Sequence, residues 1–264
     1  MQLPLPAPEE LARAYDGSYP AYQAAWRTAG WSLWTFLRAW TMRRRMALLS
    51  RHVSGSELLE VGSGGGDFLF AASRRGWHVC AVEYNATMAD IARTELRLDV
   101  RSGELRPGLW RPGSFDVVVL WNVLEHVLNP HETLAVAYDY LRPGGKVLMS
   151  IPTRAAAEAG RLYGHHWLLL DLPRHLHFFD RQSLDRVCRS AKLELASFTT
   201  PALETCWCHL MSALAFARGR PSIHGRLGAV SLTLALAGPI VVYATIRAIR
   251  GSGTEAMAVA VKHV

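Results

Sequence analysis

Leu58-Leu59-Glu60-Val61-Gly62-Ser63-Gly64-Gly65-Gly66-Asp67 is the stretch on which the fold turns. Its first four residues read as a short strand and Gly66–Arg75 as a helix, so the glycines between them form a βα turn. Glycines at that place let the backbone turn tightly and approach a ligand, with a helix N-terminus behind it. A dinucleotide fingerprint, G-x-G-x-x-G, needs a third glycine at Asp67 when counted from Gly62, or at Leu69 when counted from Gly64. Neither is glycine. An E-x-G-x-G-x-G pattern fits fully. Glu83, which ends the next apolar run, stands where a strand-end carboxylate accepts both hydroxyls of a ribose.

Outward from this turn, strand and helix signals alternate. His78–Val82, Asp99–Arg101, Phe115–Leu120 and Lys146–Ile151 read as strands, with helices over residues 86–97 and Pro130–Leu141. The last of these helices is closed by the turn Arg142-Pro143-Gly144-Gly145. Phe115–Leu120 is a continuous apolar and β-branched run, as a strand covered on both faces should be. Parallel strands need crossover helices, so the alternation predicts an α/β protein with a doubly wound, mostly parallel sheet. Asp180 caps a further helix whose Leu184, Val187, Cys188 and Ala191 share a face. Leu193, Leu195 and Ser197 begin a sixth strand, and Ala256–Val261 a last one. Upstream, Tyr22, Trp26, Leu33, Phe36, Leu37 and Trp40 recur at helical spacing over residues 21–50. The expected organisation is an N-terminal helical cap (1–50), a core (51–200) with an acceptor-site loop (152–180), an apolar helical insertion (201–250) and the final strand of the core (251–264).

The 264 residues are 50% hydrophobic and 19% charged, which excludes a disordered chain and suits one enlarged domain. Four cysteines do not form a disulfide framework in a chain this long. Cys80 and Cys188 read as reduced core thiols of a cytoplasmic protein, and Met1–Glu10 has no secretory pattern. The formal charge of +7 is almost all arginine, and only Arg43-Arg44-Arg45 is a tight run. Dispersed charge is usually a solvated surface, so nucleic acid is not the expected partner.

Taken together, the motifs resemble those of class I S-adenosylmethionine-dependent methyltransferases. They are Leu58–Gly66, Val82-Glu83, Ser114-Phe115-Asp116-Val117-Val118, Leu120-Trp121-Asn122-Val123-Leu124-Glu125-His126-Val127 and Leu141-Arg142-Pro143-Gly144-Gly145. The resemblance covers roughly residues 50–200 plus the final strand. It implies a Rossmann-like, seven-stranded sheet with an antiparallel last strand, helices on both faces, and S-adenosylmethionine as cofactor. It assigns Glu60, Gly62, Gly64 and Gly66 to the methionine end of that cofactor, Glu83 to the ribose and Tyr84 to the adenine face. Glu104 falls where the family places a residue for the adenine amino group. Trp121 and Asn122 are implied to line the cofactor.

Methyl transfer needs an in-line nucleophile, and a hydroxyl acceptor benefits from a base near neutral pKa, for which histidine is suited. The candidates are His126, His165, His166, His175 and His177. Pro173-Arg174-His175-Leu176-His177-Phe178-Phe179 resembles a segment that caps the acceptor site in a subfamily with quinone, glycan and secondary-metabolite enzymes. The catalytic assignments are His126, His175 and His177, each with the alternative of fastening the loop by hydrogen bonds to backbone. No metal is expected: Glu125 and His126 could join later histidines around a divalent ion, but neither H-x-x-x-H nor C-x-x-C is present. Cys206-Trp207-Cys208-His209 reads as packing. The expected reaction is methylation of an oxygen on a hydrophobic or lipid-linked small molecule. A nicotinamide-dependent oxidoreductase and a catalytically silent cofactor-binding subunit are the alternatives.

Leu227–Ile246 carries no charge and alone is long enough to span a bilayer. The final strand must rejoin the sheet, however, and Gly238-Pro239 should break the run. The reading is therefore a helical insertion that covers the acceptor site, packs as core, or lies at the inner membrane surface beside the helix 21–50 and its three arginines. The oligomeric state is not legible.

Overall fold

The computed structural model describes residues 33–167, 169–218 and 225–263, with side chains over 38–167, 169–216 and 237–263. The predicted helical stretch 21–32 lies outside the described residues. The elements run α1 (Leu33–His52), β1 (Glu57–Val61), α2 (Asp67–Ser73), β2 (His78–Glu83), α3 (Ala86–Leu96), β3 (Asp99–Ser102), β4 (Phe115–Trp121), α4 (Pro130–Tyr140), β5 (Leu141–Pro152), α5 (Arg154–Tyr163), α6 (Arg181–Ser190), β6 (Glu194–Thr199), α7 (Ala202–Arg218), α8 (Gly225–Ile249) and β7 (Glu255–Val261).

The strands form one sheet in the order β3-β2-β1-β4-β5-β7-β6. β1 to β5 are parallel, and β7 runs antiparallel between β5 and β6. Alternate residues of each central strand serve opposite faces. Leu58, Val117, Val119 and Trp121 pack with Met46 and Leu49 of α1, Phe68 and Leu69 of α2, and Ala89 and Ala92 of α3. Leu59, Val61, Val118 and Leu120 pack with Leu134, Ala137 and Tyr140 of α4 and Leu184 and Cys188 of α6. Burial on both sides explains why β4 reads as an unbroken apolar run. Strand order reverses between β1 and β4, which opens a crevice at the carboxyl ends of the strands, where open α/β sheets bind ligands.

Asp180 caps α6 through a reciprocal box with Ser183, as its position before the apolar face implies. Two details differ from the sequence reading. The 142–145 turn lies within β5, whose Leu141 already pairs with Phe115 before a register shift. Gly144 there, at φ 77°, donates its N–H to the Lys262 carbonyl. α8 does not break at Gly238-Pro239 but continues through Pro239. Proline omits one backbone bond without ending a helix, and both residues are exposed, so solvent can take up the missing bond. Among the described residues, no helix is long and apolar enough to cross a membrane. All four cysteines are free thiols.

Candidate active site

Three loops meet at the crevice: Gly62–Gly66 after β1, Tyr84-Asn85 after β2 and Asn122–Val127 after β4. Gly62 (φ 70°) has no room for a side chain, because a Cβ would stand 2.6 Å from Val123 of the β4 loop. Gly66 (φ 87°) is the N-cap of α2, and a Cβ there would meet Leu98 at 2.8 Å. These two positions explain the glycine pattern by conformation and by close approach.

Glu83 is 4% exposed and accepts N–H bonds from Gly64 (2.7 Å) and Asn85 (2.8 Å). Burial raises its pKa, and the N–H bonds from Asn85 and Gly64 oppose the rise. It joins the β1 loop to the β2 loop and keeps lone pairs for hydroxyl donors. Tyr84 beside it is 57% exposed. Glu104 is also exposed, just beyond Ser102, which pairs with Glu83 across β3 and β2. Glu60, at 2% exposure, has one carboxylate oxygen without a hydrogen-bond partner, as has the Ser63 hydroxyl. Burial pushes Glu60 well above the usual carboxylate range, opposed by Arg45 and reinforced by Glu83 and Asp67. Orphaned polar atoms around a glycine cradle are what a polar ligand would satisfy.

Sequence reasoning named Trp121 and Asn122 but missed Arg45, which joins them at the centre of this cluster. Asn122 sits at φ 57° at the end of β4, and its Oδ1 accepts from Arg45 Nη2 and from Ser150 Oγ, both at 2.9 Å. With Oδ1 used twice, its amide N–H groups are what remains for the nearby acids, and Asn122 lowers both Glu125 and Glu255. Arg45 reaches in from α1 and lies over the Trp121 ring, 5.2 Å from its centroid. Trp121 is 5% exposed and packs edge-on against Phe68, so it acts on the crevice through Arg45. The neighbouring Arg44 grips Glu204 of α7 with contacts of 3.0 and 2.8 Å. Two arginines of the 43–45 run are thus used inside the molecule, which corrects their expected place on a membrane surface. The run itself was the available signal.

The segments Leu124–Val127 and Pro173–Phe179 face one another. Leu176 and His177 donate backbone N–H bonds to the Glu125 carbonyl, His126 Nδ1–H donates to the Arg174 carbonyl (3.0 Å), and His177 Nε2–H to the Val127 carbonyl (3.0 Å). His175 Nδ1–H donates to the Leu169 carbonyl at 2.9 Å. The His126 and His175 rings pack together, their centroids 4.7 Å apart. His177 instead stacks on Phe179 and fastens the loop. His165 and His166 contact each other after α5, and His166 meets Phe216. Tyr163, Trp167, His209 and Tyr243 interlock, joining this loop to α7 and α8.

With Nδ1 committed on both rings, His126 and His175 keep Nε2 as the basic nitrogen. His126 Nε2 is 4.0 Å from Glu125 Oε1, and His175 Nε2 is 3.7 Å from Asp171 Oδ2. Against the upward push of burial, Arg174 and His175 hold Asp171 low. Ligand atoms of Glu125, His126 and His175 lie within 4.8 Å of one another, a spacing that could hold a cation.

Glu125 is fully buried with neither oxygen at hydrogen-bond distance from a partner. Burial raises it to about 8, and burial and His175 lower His126 to about 3. The folded Glu125 keeps a proton that the unfolded chain loses, so its contribution to stability falls as pH climbs from about 4.5 to about 8. The folded His126 refuses a proton that the unfolded chain takes, so its contribution falls as pH drops from about 6.5 to about 3. The opposed slopes cancel between about pH 4.5 and 6.5. Glu125→Gln is expected to abolish the alkaline decline, on the order of 2–4 kcal/mol. Urea denaturation in chelator-treated buffer across pH checks this, and an unchanged decline contradicts the assignment.

The family model of a methyltransferase domain matches residues 33–197, more than half of the chain. The ubiquinone biosynthesis O-methyltransferase of Azoarcus sp. is 33% identical over 159 residues, covering 56% of this chain and 68% of the relative. Among solved structures, a putative sarcosine dimethylglycine methyltransferase from Galdieria sulphuraria superposes with a TM-score of 0.58 at 11% identity, over 87% of this chain and 86% of that one. A geranyl diphosphate methyltransferase in complex with SAM superposes with a TM-score of 0.54 at 14% identity, over 83% and 84% of the two chains.

Proposed function

The chain belongs to this methyltransferase family and is an S-adenosylmethionine-dependent enzyme, and from that premise we propose that its acceptor is an oxygen of a hydrophobic, quinone-like or lipid-linked small molecule. The observation that carries the reading is the crevice itself. A glycine cradle and the buried Glu83 suit a ribose and a methionine moiety, while the acids and histidines beside Asn122 suit a hydroxyl acceptor. Likeness to the Azoarcus O-methyltransferase supports oxygen as the acceptor atom.

When bound, the cofactor supplies an electrophilic methyl group on a sulfonium. Glu83 and the Gly62–Gly66 backbone would hold the ribose and methionine ends, which fixes the direction in which the methyl group points. Arg45, Glu60 and Ser63 lie at the methionine end, where opposite charges suit an ammonium and a carboxylate. The loop 164–180, tied to Leu124–Val127 and to α7, roofs the acceptor side and excludes water. His126, His175 and His177, each bound to a backbone carbonyl, position the roof.

The reaction is tested with isotopically labelled methyl donor and two apolar-tailed acceptors, one a catechol and one a primary amine. The expected product is the methyl ether of the catechol. Cofactor binding with methylation of the amine alone contradicts the assignment of oxygen. Replacing His126 or His175 by Ala should lower kcat about 10-fold with unchanged cofactor affinity, because the roof is then less well positioned over the acceptor. Full turnover by both variants would show that neither positions the acceptor.

The same reading places the enzyme at a membrane surface, peripherally. In support, Val242, Ile246 and Ile249 recur on one face of α8 and are 58, 44 and 79% exposed, and Leu203 of α7 and Leu162 of α5 are exposed as well. Arg250 follows at the helix end, and each basic residue near an anionic surface contributes about 1 kcal/mol. Flotation with anionic vesicles should therefore weaken with salt and retain an apolar remainder. No flotation at any salt contradicts membrane association, and release by detergent alone contradicts its peripheral character.

A further inference from the structure

Glu255 belongs to none of the motifs, yet the fold delivers it to the crevice. It opens β7 and pairs with Pro152 at the carboxyl end of β5. The backbone before it is locked. Thr153 N–H donates to the Thr254 carbonyl at 3.0 Å, Thr254 N–H donates to Thr205 Oγ1 at 3.2 Å, and Thr153 Oγ1 donates to the Gly253 carbonyl. A side chain at Gly253 would stand 2.7 Å from Thr205 Oγ1, so that turn has one arrangement. Glu60, Glu83 and Glu125 are each under 5% exposed, whereas Glu255 is only partly buried. The charged and polar groups around it come from three elements: Arg45 and Arg44 on α1, Glu204 and Cys208 on α7, and Asn122 and Glu125 after β4.

The sheet order sets the direction. Glu83 on β2 fixes the ribose, the glycine loop on β1 fixes the methionine end, and the acceptor must then enter over β4, β5 and β7. We propose that Glu255 is a catalytic residue that touches the acceptor and takes the proton from its hydroxyl. This rests on the O-methyltransferase reading above. The acceptor O–H bond breaks with its proton passing to a Glu255 carboxylate oxygen. The oxygen's electron pair forms the new O–CH₃ bond, and the pair of the broken S–CH₃ bond stays on sulfur as a neutral thioether. Glu255 then returns its proton to solvent, which its partial exposure permits. Burial raises Glu255 to about 7, a value suited to exchanging a proton near neutrality. The histidines compete for the role, but their rings are bound to loop carbonyls, while Glu255 stands on the sheet itself at the start of β7.

The test is Glu255→Gln, which keeps shape and hydrogen bonding and removes the base. Calorimetry should give wild-type affinity for S-adenosylmethionine, which also reports correct folding. Turnover of a catechol that is neutral at the assay pH should fall about 10²-fold. Turnover of an acidic nitrocatechol, already ionised at that pH, should fall less than threefold. In complexes with S-adenosylhomocysteine, the absorbance of a bound neutral catechol should shift toward the ionised form with wild type and not with Glu255→Gln. Equal losses for the two acceptors, an unchanged rate on the neutral one, identical spectra, or lost cofactor affinity would each overturn the assignment. A wild type that binds cofactor but methylates neither acceptor would instead overturn the O-methyltransferase reading.

Discussion

Arg45→Met is expected to lower stability by about 2–4 kcal/mol, because removing one partner of a buried charge cluster leaves the others uncompensated. Arg45 is the cation that opposes the upward shifts of Glu60, Glu125 and Glu255, and it also fills one of the two donor positions on Asn122 Oδ1. The lower part of the range applies because Arg45 as a residue is only partly buried. For a chain of this size the loss corresponds to roughly 5–15 °C in Tm, read by thermal denaturation. Above about pH 8, where Glu125 ionises, adding Glu125→Gln should recover part of it, since the second change then removes a buried charge that has lost its counter-charge. If the single variant melts with the wild type, Arg45 is a surface residue and the cluster has been misread.

Glu83→Ala should weaken S-adenosylmethionine binding by about 1–3 kcal/mol, roughly 5- to 100-fold, through loss of charge-assisted hydrogen bonds to the ribose. Part of the effect comes through the loop, because Glu83 also accepts from Gly64 and Asn85. Glu83→Gln separates the contributions: it can still accept one hydrogen bond and should lie between alanine and wild type. Equal affinity of wild type and alanine variant, measured by calorimetry, would remove Glu83 from the site.

The parts of the fold that were legible in the sequence are those with local causes. Glycines at Gly62 and Gly66 are demanded by positive φ and by Val123 and Leu98 pressing close. The apolar continuity of β4 follows from burial on both faces. Asp180 announces its helix because a cap and its partner are neighbours in the chain. Asn122 was legible in its motif, but the partners it gathers are distant in the chain and no local pattern assigns them to it. Arg45 meets Asn122 across 77 positions, Arg44 meets Glu204 across 160, and Glu255 enters on a strand that reads only as apolar alternation. A run of three arginines looks the same whether it faces lipid, solvent or a carboxylate. His177 carries two readings in the sequence for a similar reason. Its ring type fits catalysis, but the Val127 carbonyl 50 residues away gives it the work of holding a loop. Pro239 misled because local rules state the cost of a proline and not whether the surrounding helix can bear it.

The measurement that bears most directly on the account is calorimetric titration of the purified chain with S-adenosylmethionine, S-adenosylhomocysteine and NADH. The account predicts saturable one-to-one binding of the first two at the same site, each displacing the other, and no heat from NADH. Absence of binding by either sulfur compound, or preference for NADH, would contradict it.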